Sequence, residues 1–149
     1  MAAYFLDTSA VLKRYVQETG TAWVQALAAP SARNSLFVVR ITQAKSVAAI
    51  TRRERGGSIT PQDAAIAVAD FQLDFARQYR IVEVSAGLVA QAATLARQHA
   101  LRGYDAVQLA AALEIHATDP SLTLLSADAE LNAAATAEGM LVDDPNNHP

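Results

Sequence analysis

The chain has 149 residues, 52% of them hydrophobic and 18% charged, with a formal net charge of −3. That length suits one domain with a real core, and that composition excludes a disordered or fibrous protein. The absence of Cys excludes disulfides and thiolate metal sites, and the scattered His99, His116 and His148 make no zinc-ligand pattern.

Tyr4-Phe5-Leu6 predicts a short buried strand that stops at Asp7. The segment before it has no basic stretch, so no secretory signal is expected. Helical patterns follow over Ala10 to Gln17 and Thr21 to Ala28, separated by Gly20, and Pro30 to Ser35 reads as loop. Leu36-Phe37-Val38-Val39 predicts a second apolar strand, and residues 42–54 a helix stopped by Gly56-Gly57. Thr60-Pro61-Gln62-Asp63 places Pro in a first helical turn, opening a helix to about Arg77. Ile81 to Val84 predicts a third strand, Ala86 to His99 a helix, and Asp105 to His116 a helix apolar on nearly every side and therefore buried. Leu122 to Leu125 is a fourth strand, 127–137 a helix ended by Gly139, and Met140-Leu141-Val142 a fifth strand; the tail from Asp143 to Pro149 is expected to fray. Short apolar strands separated by helices predict a single α/β domain, a parallel sheet with helices on both faces in three layers. No uncharged apolar run reaches the length of a membrane span, so no membrane association and a cytoplasmic location are expected.

Ligands of open parallel sheets bind beyond the carboxyl ends of the strands. Two strands here end in acid-bearing turns, at Asp7 and at Ser126-Ala127-Asp128, and a third acid, Asp105, opens the buried helix with its side chain on the face of Leu109 and Ala112. A buried carboxylate needs a partner or takes up a proton. Several converging acids suit Mg²⁺ or Mn²⁺, hard cations that prefer oxygen ligands. Each acid also has a purely structural reading. Asp7 fits a cap on the first helix, Asp105 with Gln108 fits a capping box, and Ser126 fits a cap that leaves Asp128 in a first turn.

Three blocks in series carry a family resemblance: Tyr4-Phe5-Leu6-Asp7-Thr8-Ser9-Ala10-Val11-Leu12-Lys13-Arg14-Tyr15, then residues 101–112 around Gly103-Tyr104-Asp105-Ala106, then Ser126-Ala127-Asp128-Ala129-Glu130-Leu131. In order and separation they resemble the PIN-domain family, and within it VapC-type toxins of toxin–antitoxin pairs. The resemblance implies a metal-dependent ribonuclease with Asp7, Asp105 and Asp128 as metal-site acids and Ser9 and Ser126 as polar helpers. It also implies a cognate antitoxin, an RNA substrate and a homodimer. A dehalogenase-type phosphatase would want a second Asp where Ser9 stands, and a dinucleotide fold would want a glycine-rich turn where Thr8-Ser9-Ala10 stands.

One position departs from the family. Where such proteins carry a further metal-site Glu, this chain has Lys45, and the nearest Glu, Glu54, lies too far along the helix to replace it. A helical wheel sets Lys45 between Ile41, Ala48 and Ala49 on an inward stripe, where its ammonium would pair with Asp7 or Asp105 in a cation's place or else reach out to solvent. Attenuated metal binding and cleavage are expected, with a non-catalytic PIN module that binds antitoxin or RNA as the alternative. Ten of the twelve basic residues are Arg. Arg52, Arg53, Arg55 and Arg102 are candidate contacts for RNA or antitoxin, the first three fitting a solvated helix end equally well. Tyr15 and Trp23 fit either core packing or a partner surface.

Overall fold

The computed structural model describes residues 1–149. Five strands, β1 (Ala3–Leu6), β2 (Ser35–Val39), β3 (Arg80–Val82), β4 (Thr123–Leu125) and β5 (Leu141–Asp143), form one sheet. Its order is β3-β2-β1-β4-β5 and every pairing is parallel. Seven α-helices surround it: α1 (Thr8–Tyr15), α2 (Thr21–Ala28), α3 (Thr42–Arg55), α4 (Pro61–Arg77), α5 (Ala86–His99), α6 (Gly103–Thr118) and α7 (Ala129–Ala137). No helix is long and apolar enough to cross a membrane.

Alternation along the strands sets the layers. Phe5, Val39, Val82 and Leu124 pack into one core with residues of α5, α6 and α7. Leu6, Leu36, Val38 and Leu125 pack into another with residues of α1, α2 and α4. Neighbouring strand residues point to opposite faces, so a sheet covered twice is apolar at consecutive positions through its centre. The result is a three-layer α/β/α sandwich. A smaller cluster of Leu12, Val16, Ile50, Ala64 and Ala67 joins α1, α3 and α4.

Helix α6 is buried because it is apolar all round: Ala106, Leu109, Ala110, Ala111 and Ala112 have almost no exposure. It starts at Gly103, two residues before the expected Asp105. The other boundary differences are of similar size: α1 begins at Thr8 rather than Ala10, and β3 ends at Val82, with Glu83 leaving the sheet to pair with Arg40.

The strand order positions the site. From β1 the chain adds β2 and β3 on one side, then returns to lay β4 and β5 on the other. The connections leaving β1 and β4 therefore depart in opposite directions, opening a crevice at the carboxyl ends of these two adjacent strands. Asp7 follows β1 directly, and the 126–128 turn follows β4.

The terminal segment does not fray. After β5 a short 3-10 turn covers Pro145–Asn147, with Pro145 buried against the turn at Gly20. Lys13 Nζ donates to Asn146 Oδ1 at 2.8 Å, His148 lies 2.9 Å from Asp143 Oδ1, and the His148 ring stacks on Trp23 at 3.9 Å. Gly20, at φ +86°, both adopts a backbone that other residues avoid and leaves room for the Pro145 carbonyl. The polar tail reads as loose because the partners that dock it, Lys13, Gly20 and Trp23, lie more than a hundred residues earlier. Trp23 thus packs against the chain's own end, while Tyr15 lies edge-on to Phe71 and donates its hydroxyl to Asp74 at 2.8 Å.

Candidate active site

Asp7 is 4% exposed and makes no side-chain cap to α1. Its Oδ2 instead accepts from Ser9 Oγ at 2.8 Å and from Ser126 Oγ at 3.2 Å. The same two hydroxyls accept from the following turn: Ala127 N–H donates to Ser9 Oγ at 2.9 Å, and Asp128 N–H to Ser126 Oγ at 3.0 Å. The serines therefore tie the end of β1 to the end of β4 and fix the Asp7 carboxylate across the switch-point crevice.

Asp105 lies inside α6, in its first turn, and the expected capping box with Gln108 does not form. Gln108 turns away, donating to Thr42 Oγ1 at 3.2 Å and to Thr8 Oγ1 at 3.4 Å. The Asp105 side chain is left buried without a hydrogen bond or an ion pair. Burial, with Asp128 and then Asp7 repelling, pushes its carboxyl above the ordinary range; Lys45 and Arg102 oppose that rise more weakly. That mutual influence brings the three acids into one electrostatic neighbourhood.

Asp128 is itself the N-cap of α7, its Oδ1 accepting from Leu131 N–H at 2.9 Å. The expectation that Ser126 caps this helix is corrected: the helix starts at Ala129, and Ser126 belongs to the turn before it. One Asp128 oxygen is thereby committed to the backbone, and the other is uncommitted.

Lys45 is half-buried, and its wheel position needs correction as well. The buried face of α3 is Thr42, Ser46 and Ile50, whereas Ala48 is exposed, so Lys45 lies beside the inward stripe rather than on it. Its ammonium forms no ion pair with Asp7 or Asp105. It rests 4.6 Å from the centre of the Tyr104 ring, which lies next to Asp105 in sequence.

Of the four candidate arginines, only Arg102 reaches the site, at the N-cap of α6. Arg52, Arg53 and Arg55 occupy the last turn of α3, away from Lys45, where cations complement the helix dipole, and Arg53 is paired with Glu18.

The polar layer beneath the acids is not legible in the sequence, where Gln108 reads only as a capping partner. Thr8, Thr42, Ser46 and Gln108 form a polar layer with Gln108 Oε1 and Ser46 Oγ buried and unpaired. Asn132 donates to the Ser126 carbonyl at 2.8 Å. A lone Gln among the alanines of α6, one turn beyond Asp105, was the available signal.

A divalent cation suits this donor chemistry. Asp7 and the turn bearing Asp128 stand at the ends of the adjacent strands β1 and β4 with Asp105 within electrostatic reach, none of the three is in an ion pair, and Asp105 has no hydrogen-bond partner. Closure is the missing feature, since no three acidic or imidazole side chains stand close enough together to ligate one ion.

A parallel sheet between two helical layers, with acid-bearing turns after the adjacent strands β1 and β4, defines an open α/β domain whose crevice lies at the carboxyl edge. The PIN domain family model matches residues 4–137, and the chain is 37% identical to Ribonuclease VapC45 of Mycobacterium tuberculosis over 147 residues, 95% of each chain. The chain belongs to the PIN-domain family and is of the VapC type within it. Its fold is also similar to VapC20 of Mycobacterium tuberculosis, a Sarcin-Ricin loop cleaving toxin (TM-score 0.65, 16% identity, covering 98% of this chain and 99% of that one). A further likeness is to VapBC2 from Rickettsia felis bound to a DNA fragment from their promoter (TM-score 0.62, 13% identity, covering 95% and 98%).

Proposed function

We propose that the chain is a VapC-type endoribonuclease toxin whose metal-dependent activity is attenuated by Lys45. The observation that supports this reading is the pair of acid-bearing turns after the adjacent strands β1 and β4, with Asp105 within electrostatic reach of Asp7 and Asp128 and no ion pair on any of the three. Likeness to the ribonuclease VapC45 over nearly the whole chain supports the same class.

Asp7, Asp105 and Asp128 are the residues that would hold Mg²⁺ or Mn²⁺. A divalent cation held there would supply Lewis-acid polarisation of the scissile phosphate and activation of a water. The chain's own residues prepare that chemistry. Ser9 and Ser126 occupy Oδ2 of Asp7 and leave Oδ1 for the crevice. Asp105, whose carboxyl is raised by burial and by two acids, would have its ionised form favoured by an arriving positive charge. Arg102 offers a guanidinium to RNA phosphate at the rim. Lys45 opposes metal entry by placing a fixed charge where the family carries an acid, exchanging an acceptor for a donor.

The partner set follows from the same reading: a cognate antitoxin, a structured RNA in the cytoplasm and a second copy of the chain. Likeness to a VapBC complex bound to promoter DNA supports the antitoxin. A non-catalytic PIN module is the second reading, favoured by Lys45 and by the lack of three converging ligands.

Cleavage of structured RNA with Mg²⁺, Mn²⁺ or EDTA, by this chain and by Lys45→Glu, separates them. Attenuation predicts slow cleavage by this chain, faster cleavage by Lys45→Glu, and none in EDTA. If the variant cuts no faster than the parent, the attenuation reading fails.

A further inference from the structure

We propose that the cleft beside the acids, between the start of α3 and the start of α6, is a nucleobase-binding subsite with Tyr104 as its stacking platform. The proposal rests on the ribonuclease reading and adds a site that recognises the base next to the cleaved phosphate.

The cleft encloses about 750 Å³, and Ile41, Val84, Tyr104 and Val107 supply its apolar walls. Two of these are large apolar side chains left in water: Tyr104 is 51% exposed and Val84 42%. Lys45, whose ammonium lies over the Tyr104 ring, also acts on Asp105, so a base held at this end of the cleft leaves its phosphate on the side of the acids. Planar rings stack on exposed aromatic side chains whatever the base, which makes this chemistry suited to single-stranded RNA.

Charge selects a nucleotide over an apolar peptide. Arg40, at the far wall, is already neutralised by a bidentate pair with Glu83, Nε at 2.6 Å and an Nη at 2.7 Å. Arg102 lines the cleft without an acidic partner. Lys45 sits against Tyr104 with its ammonium likewise free of any carboxylate pair. Lys45, seated over the Tyr104 ring, and Arg102, which lines the cleft, are thus two cations without a carboxylate partner at this end of the cleft, complementary to a base that carries phosphate.

The test is fluorescence anisotropy of a labelled single-stranded RNA dodecamer on the full chain, in EDTA and in Ca²⁺, with sedimentation of each variant. Tyr104→Ala should weaken binding at least about fivefold, the lower bound for losing one base–aromatic stack. Tyr104→Phe should bind within about twofold of the parent because the ring remains. Val84→Asp, which crowds the cleft with like charge and leaves Tyr104 and Lys45 in place, should also weaken it. If Tyr104→Ala and Val84→Asp bind as the parent does while Arg102→Ala weakens, RNA is held by phosphate alone and the subsite is wrong, with the nuclease reading intact. If the parent binds the dodecamer in neither condition, the subsite is wrong, and the nuclease reading stands or falls on the cleavage of structured RNA. If the cleft variants turn a dimer into a monomer without changing RNA affinity, the cleft belongs to a second copy and the proposal is overturned.

Discussion

The Lys45 ammonium rests 4.6 Å from the centre of the Tyr104 ring, beside the acids without bonding to any of them. It therefore acts on the crevice through its field. At ~8 Å and an effective dielectric of ~20, one unit charge is worth about 2 kcal/mol against another before screening. Lys45→Met should tighten Mn²⁺ binding about tenfold and Lys45→Glu more, the order Lys, Met, Glu following the charge. Calorimetric titration checks it; equal affinities across the three would show that the lysine is irrelevant to the site.

Ser126 holds Asp7 and the Asp128 amide at once, with no exposure to water. Removing its hydroxyl leaves the Asp128 N–H unpaired and takes from Asp7 Oδ2 one of its two donors, Ser9 remaining. Ser126→Ala should cost about 2 kcal/mol in urea denaturation, within the range for unsatisfied buried groups. Adding Asp7→Ala should cost less than the two single losses summed, because the variants share one bond.

Asp105 gives the chain a signed pH response. Its carboxyl is raised from the ordinary 3.8, so the folded chain binds its proton at a higher pH than the unfolded chain does. The penalty for ionising it is complete above the folded-state pKa and is relieved as pH falls through that value. Asp105→Asn should therefore raise the thermal midpoint at neutral pH, with the gain vanishing below the normal carboxylate range. Melting curves across pH check this; a lower midpoint at neutral pH would mean that the ionised carboxylate is stabilised by its surroundings.

The docked tail should matter to stability. Lys13 is 5% exposed and relies on Asn146 at 2.8 Å and Glu18 at 3.6 Å. Removing residues 144–149 takes away the first partner and the ring stacked on Trp23. A loss of about 1–3 kcal/mol is expected, with Trp23 emission shifted to the red as the indole meets water. Unchanged emission would place the tail elsewhere in solution.

Much of this was legible in the sequence. Continuous apolar runs such as Leu36 to Val39 announced strands covered twice, and an all-round apolar helix announced the burial of α6. Asp7 and Asp128 stood out because acids directly follow apolar strands. Strand order was not legible, because nothing local in β1 or β4 says that they are neighbours, and the switch point depends on that adjacency. Lys45 was misplaced because a wheel fixes an angle but not the neighbour across it; Thr42, Ser46 and Ile50 claim the buried side. The serine bridge between Asp7 and the 126–128 turn joins residues more than a hundred positions apart, so pattern reading found its members without their bonds.

The most direct test of the acid cluster is Mn²⁺ titration of the Lys45→Glu chain by electron paramagnetic resonance, repeated with Asp7→Asn, Asp105→Asn and Asp128→Asn added singly. One bound Mn²⁺ per chain, weakened at least about tenfold by each of the three, is the result expected of a shared site. Binding that survives all three substitutions undiminished would contradict it.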